Sequence, residues 1–84
     1  MKYFCDKENY RIHPVINLEK TGENIKHFRL EKEMSVRNLA DYMEFEDVQA
    51  IYNWQAGKCL PQLENLKMLG ELFDKRIEEI VAFE

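Results

Sequence analysis

The sequence predicts an all-α fold, a compact bundle of five short helices preceded by an extended arm. Three observations predict it. Ser35 to Gly57 holds two short segments with inward-facing residues at helical spacing, separated by the four-residue corner Glu44-Phe45-Glu46-Asp47. Leu63, Leu66, Leu69, Leu72 and Phe73 form an apolar stripe with helical period. At 84 residues the chain is one domain, and a 45% hydrophobic content is enough for a small helical core.

Taken in order, Met1 to Lys20 shows no helical period and divides the chain into an arm (1–20) and a helical domain (21–84). Tyr10 to Leu18 mixes β-formers with Pro14, which suits an extended arm or an edge strand. Such an arm folds over the bundle, pairs with a second subunit or touches DNA. His13 has no ligand-spaced neighbour and reads as structural. Thr21 and Gly22 open the first helix, with Ile25 and Phe28 inward and Lys26, His27, Glu31 and Lys32 in water. Leu30 is expected to be exposed.

Ser35 caps the second helix, Val36 to about Glu44, in which Leu39, Ala40 and Met43 share a face. Asp47 caps the third, about 47–56, where Ile51 and Trp54 point inward. Gly57 ends it, since only glycine takes a left-handed backbone without penalty. Lys58-Cys59-Leu60-Pro61 leads to the fourth helix, Gln62 to Phe73, all of whose stripe residues are expected in the core. Gly70 within it implies close approach by another helix. Ile77, Ile80 and Val81 form a short fifth helix covering the bundle, and Phe83 reads as a last core plug or, alternatively, a dimer contact.

Two short helices across a tight corner make a helix-turn-helix, a unit that commonly lays its second helix along a nucleic-acid groove. The wording Gln49-Ala50-Ile51-Tyr52-Asn53-Trp54-Gln55-Ala56-Gly57-Lys58-Cys59-Leu60-Pro61 resembles the recognition helix and exit loop of Cro/repressor-type helix-turn-helix domains, the xenobiotic-response-element (XRE) family, which commonly read Q-A-(I/V)-x-x-W-E-x-G-K-x-x-P there. The resemblance runs from Thr21 to Val81, about three quarters of the chain. It implies a lambda-repressor-like fold and a sequence-specific, DNA-binding transcriptional regulator of bacterial or phage type that acts as a homodimer on half-sites roughly 34 Å apart.

Val48, Gln49, Tyr52, Asn53 and Gln55 are expected to point away from Ile51 and Trp54. Gln and Asn offer a donor–acceptor fork that fits the major-groove edge of adenine, and Val48 suits a thymine methyl. By the resemblance, Val48, Gln49 and Asn53 occupy base-contacting positions, and Tyr52 stacks on sugar or reaches a phosphate. Ser35, Arg37 and Lys58 are the candidates for phosphate contacts. The family also commonly ties an arginine in the first helix to a glutamate at the end of the third. Here the pair is Arg29 and Gln55, so Arg29 is expected on Gln55 or on Glu64. The corner holds one residue more than is common in the family, with Glu44 where glycine is frequent.

Charge pulls the other way. The net charge is −4, and between Ser35 and Pro61 Arg37 and Lys58 stand against Asp41, Glu44, Glu46 and Asp47. DNA repels such a surface, so the alternative is an antitoxin-like adaptor or other protein-interaction module on the same fold. The chain has no Gly-rich phosphate loop, ligand-spaced metal cluster or nucleophile beside a histidine, which argues against an enzyme and against a metal or cofactor. Cys5 and Cys59 fit reduced thiols. With no apolar run of about 20 residues and no signal-peptide pattern at the start, a cytoplasmic protein without membrane contact is expected.

Overall fold

The computed structural model describes residues 15–84. They form five helices: α1 (Leu18–Glu31), α2 (Val36–Tyr42), α3 (Gln49–Gln55), α4 (Leu63–Phe73) and α5 (Ile77–Ile80). The core they enclose is Ile25, Leu39, Ala40, Met43, Ile51, Trp54, Leu66, Leu69, Phe73, Ile80 and Val81. Each large aliphatic buried here contributes roughly 1.5–3 kcal/mol relative to exposure. Ile25, Leu39, Ile51, Leu69 and Ile80 are wholly buried, one from each helix, so every element is anchored at the same centre. Phe28 packs against Phe73 with the rings tilted by 52° and their centroids 5.8 Å apart, and Phe45 meets Trp54 edge-on at 5.8 Å.

The first helix starts earlier than the sequence suggests. Asn17 is its cap, with its Oδ1 accepting from the Lys20 amide at 2.9 Å. Thr21, expected to open the helix, is instead buried within it. Its Oγ1 accepts from the Ala82 amide at 2.9 Å, and Asn24 Nδ2 donates to the Ile80 carbonyl at 3.0 Å. Cap-type side chains were therefore recruited to hold the chain's far end, a use that local spacing does not reveal. Val15 and Ile16 are extended. The Asn17 amide donates to Ala82 O and the Glu84 amide to Val15 O, both at 2.8 Å, around an isolated antiparallel bridge between Ile16 and Phe83. The rest of the proposed arm lies outside the described residues, as do His13 and Cys5.

α1, α2 and α3 end alike. In each, the residue just past the cap is left-handed: Glu33 (φ 58°), Glu44 (φ 63°) and Gly57 (φ 77°). Paired amide-to-carbonyl bonds close each end, for example Phe45 N to Ala40 O at 2.9 Å and Glu44 N to Asp41 O at 3.1 Å. Only the third exit uses glycine, as expected for Gly57. α4 leaves through left-handed Asp74 (φ 59°), with Lys75 N donating to Gly70 O at 2.9 Å.

Three packing expectations need correction. Leu63 is 71% exposed, because it stands in the first turn of α4 before the helix reaches the core. Phe83 is 51% exposed and so is no core plug; its backbone pairs with Ile16 while its ring faces outward. Gly70 is small for its own helix's exit, not for a neighbouring helix: a Cβ there would stand 2.8 Å from the Lys75 carbonyl oxygen.

Candidate nucleic-acid interface

α3 is held from behind by two contacts with α1. Gly22 lies against its C-terminal end, where an added Cβ would overlap the Trp54 carbonyl oxygen and stand 2.7 Å from that of Gln55. Beside it, buried Arg29 donates from Nε to Gln55 Oε1 at 3.0 Å and from Nη1 to the Met34 carbonyl at 2.7 Å. Arg29 thus meets Gln55, as the resemblance implied, and no bond to Glu64 forms. The contact also corrects the placement of Gln55: it faces α1, not the outer side of α3.

Ile51 and Trp54 are buried, which turns the opposite side of α3 outward. Gln49 and Tyr52 are exposed and Asn53 half-buried on that side. Gln49 Nε2 donates to Asn53 Oδ1 at 2.9 Å, an i,i+4 bond that aligns the two amides along the helix. That bond uses one donor of Gln49 and the acceptor of Asn53, so the Gln49 side-chain carbonyl and the Asn53 amide nitrogen remain for other partners. Val48 is half-buried and packs partly on the core, so only part of its side chain is presented. Asp47 works one residue earlier than expected: Val48 is the cap position of α3, and Asp47 Oδ1 accepts from the Gln49 amide at 2.9 Å.

The candidates for phosphate contact differ in availability. Ser35 and Asn38 form a reciprocal capping box, with Asn38 N donating to Ser35 Oγ at 2.9 Å and Ser35 N to Asn38 Oδ1 at 3.1 Å. The Ser35 hydroxyl proton stays free to donate. Lys58 is exposed just past the end of α3 and, among the described residues, lies within ion-pair distance of no carboxylate. Arg37 is engaged within the protein, with Nη2 3.0 Å from Asp41 Oδ1 and further bonds to the carbonyls of the corner.

Sequence reasoning missed two of these arrangements. The capping box was readable, since Ser35 and Asn38 have its spacing with Asn in place of the usual Glu or Gln. The i,i+4 spacing of Arg37 and Asp41 was readable too, but the carbonyl contacts depend on how the corner folds back.

No protein-family model matches the chain, and none of the curated proteins does. Among solved structures, the restriction-modification controller protein C.AhdI from Aeromonas hydrophila superposes with a TM-score of 0.66 at 24% identity, covering 75% of this chain and 94% of that one. The fold they share is a five-helix domain built around a helix-turn-helix. Two structures of the BldD DNA-binding domain, one of them from S. venezulae, agree at TM-scores of 0.65 and 11% identity. They cover 77% of this chain, and 96% and 93% of their own. In this helix-turn-helix, α2 and α3 are the paired helices, with α1, α4 and α5 behind them.

Proposed function

We propose that this chain is a transcriptional regulator of bacterial or phage type, which binds duplex DNA as a homodimer with α3 in the major groove. The observation that carries the reading is the two-sidedness of α3: Ile51 and Trp54 lock one side into the core, and Gln49, Tyr52 and Asn53 line the other. The controller protein and the DNA-binding domain that share the fold are consistent with it. Gln49 and Asn53 are assigned to base edges, with adenine the natural partner of either amide. Val48 contributes a partial apolar contact and Tyr52 a sugar or phosphate contact. Ser35 and Lys58 bind phosphates. A regulator of this kind works in the cytoplasm and needs neither catalysis nor a cofactor, and no helix among the described residues is long and apolar enough to cross a membrane.

The test is enrichment of genomic fragments by the tagged protein, followed by titration of the enriched duplex with Gln49→Ala and Asn53→Ala. A recurrent palindromic site, bound about tenfold or more weakly by each variant, supports the reading, since a bidentate base contact is worth roughly 1–3 kcal/mol. Random fragments alone refute it.

A second reading, a protein-interaction module of the antitoxin-like or adaptor kind, is favoured by charge. Glu44, Glu46 and Asp47 are exposed at the corner and Asp41 is paired with Arg37, so Lys58 is the one cation between Ser35 and Pro61 without a carboxylate partner among the described residues. Co-purification of one protein at fixed stoichiometry, without enriched DNA, would support that module.

A further inference from the structure

Arg37 stands at an unfavourable place for a helix cation. It is the second residue of α2, where the unpaired amides of the helix start carry partial positive charge. Its gain lies across the corner. Nε donates to Asp41 Oδ1 at 3.1 Å, Nη2 donates to the Phe45 carbonyl at 3.2 Å, and Nη1 reaches the Glu46 carbonyl at 3.4 Å. Phe45 and Glu46 directly follow Glu44, the residue held left-handed where glycine would sit without strain. One planar cation therefore links the second and sixth residues of α2 to the far side of the corner that leads into α3.

Resting on the reading that α3 meets DNA, we propose that Arg37 is a positioning residue. It fastens the corner between α2 and α3 and so fixes the angle at which Gln49, Tyr52 and Asn53 are presented, in place of the phosphate contact its position suggests. The planar fork is what the task requires. A lysine ammonium keeps the charge but cannot hold a carboxylate and two carbonyls in one plane. Asp41 orients the fork and cancels most of the charge that a phosphate would have sensed.

The test compares wild type, Arg37→Lys and Arg37→Ala on the duplex that the wild-type protein enriches from a random-sequence pool. Binding is titrated over a range of salt at a temperature where circular dichroism shows all three folded. The brace predicts that both variants bind about tenfold more weakly, with the wild-type slope of log affinity against log salt. It also predicts faster hydrogen exchange at the Glu44 and Phe45 amides, which close the α2 exit, in both. A phosphate contact predicts instead that Arg37→Lys binds like wild type, while Arg37→Ala loses about 1.8 from the salt slope of the dimer, about 0.9 for each protomer. That pattern overturns the proposal, as does wild-type binding by both variants. If the wild-type protein enriches no duplex, the groove reading is what has failed. Hydrogen exchange then judges the brace alone, and unchanged protection of Glu44 and Phe45 in Arg37→Lys overturns it.

Discussion

Replacing Gly22 with alanine sets two effects of opposite sign against each other. Gly22 lies inside α1, where alanine is intrinsically better by about 1 kcal/mol. On an open helix face Gly22→Ala would therefore stabilise the protein. Here the new methyl would overlap the Trp54 carbonyl oxygen and press on that of Gln55 at 2.7 Å. Both atoms are backbone, so no side-chain rotation relieves the clash; α1 and the end of α3 must separate. Overpacking of this kind costs about 1–3 kcal/mol and occasionally more. With rigid backbone on the receiving side, the upper end applies, and after the propensity gain a net loss of about 2 kcal/mol remains. For a domain of this size that lowers the Tm by roughly 8–16 °C. The separation also loosens the bond between Arg29 and Gln55, so α3 loses its support as the fold weakens. Thermal unfolding followed at 222 nm reads the effect directly. A Tm for Gly22→Ala equal to or above wild type would refute the claim that α3 rests on α1 at this point.

Three further substitutions probe other parts of the account. Gln55→Glu gives buried Arg29 an anionic partner at the existing 3.0 Å contact, and urea denaturation should show a gain of about 1 kcal/mol, the difference between a neutral and a charge-assisted bond; an unchanged midpoint would mean that desolvation of the new carboxylate cancels it. Glu44→Gly relieves the left-handed strain of about 1–2 kcal/mol while adding 0.5–1 kcal/mol of unfolded-chain freedom, for a net gain of about 0.5 kcal/mol by the same assay. Leu63→Lys, on a side chain 71% exposed, should shift stability by no more than about 0.5 kcal/mol, and a larger loss would mean that this leucine is covered after all.

What was legible in the sequence was set by periodicity and by punctuation. Ile25, Leu39, Ile51, Trp54, Leu66 and Leu69 repeat at helical spacing, and each is buried. Ser35 and Gly57 mark a start and a stop by the chemistry that backbone ends require, and both act as expected. The link from Arg29 to Gln55 followed from resemblance, because no local rule connects residues so far apart in the chain. Two of the misreadings share one cause, a distant partner overriding a local signal. Thr21 looked like a cap but is held by Ala82, and Phe83 looked like core but lies beside Ile16 at the edge. Leu63 continues the stripe of α4 in sequence, yet it stands one turn before the helix meets the bundle. At the candidate interface, Gln49 and Asn53 were legible as outward-facing amides, whereas the bond between them needed coordinates. Arg37 could be seen to lie four residues from Asp41, but the corner that occupies the rest of its guanidinium depends on the left-handed turn at Glu44.

The central claim is that the outer side of α3 reads bases, and NMR titration of the side-chain amides of Gln49 and Asn53 tests it most directly. On adding the enriched duplex, the account predicts large shifts and slowed exchange for both amide groups, with the Trp54 indole nearly unmoved in its core. Shifts confined to the exposed acidic corner or to the segment before α1, with both amides unaltered, would contradict it.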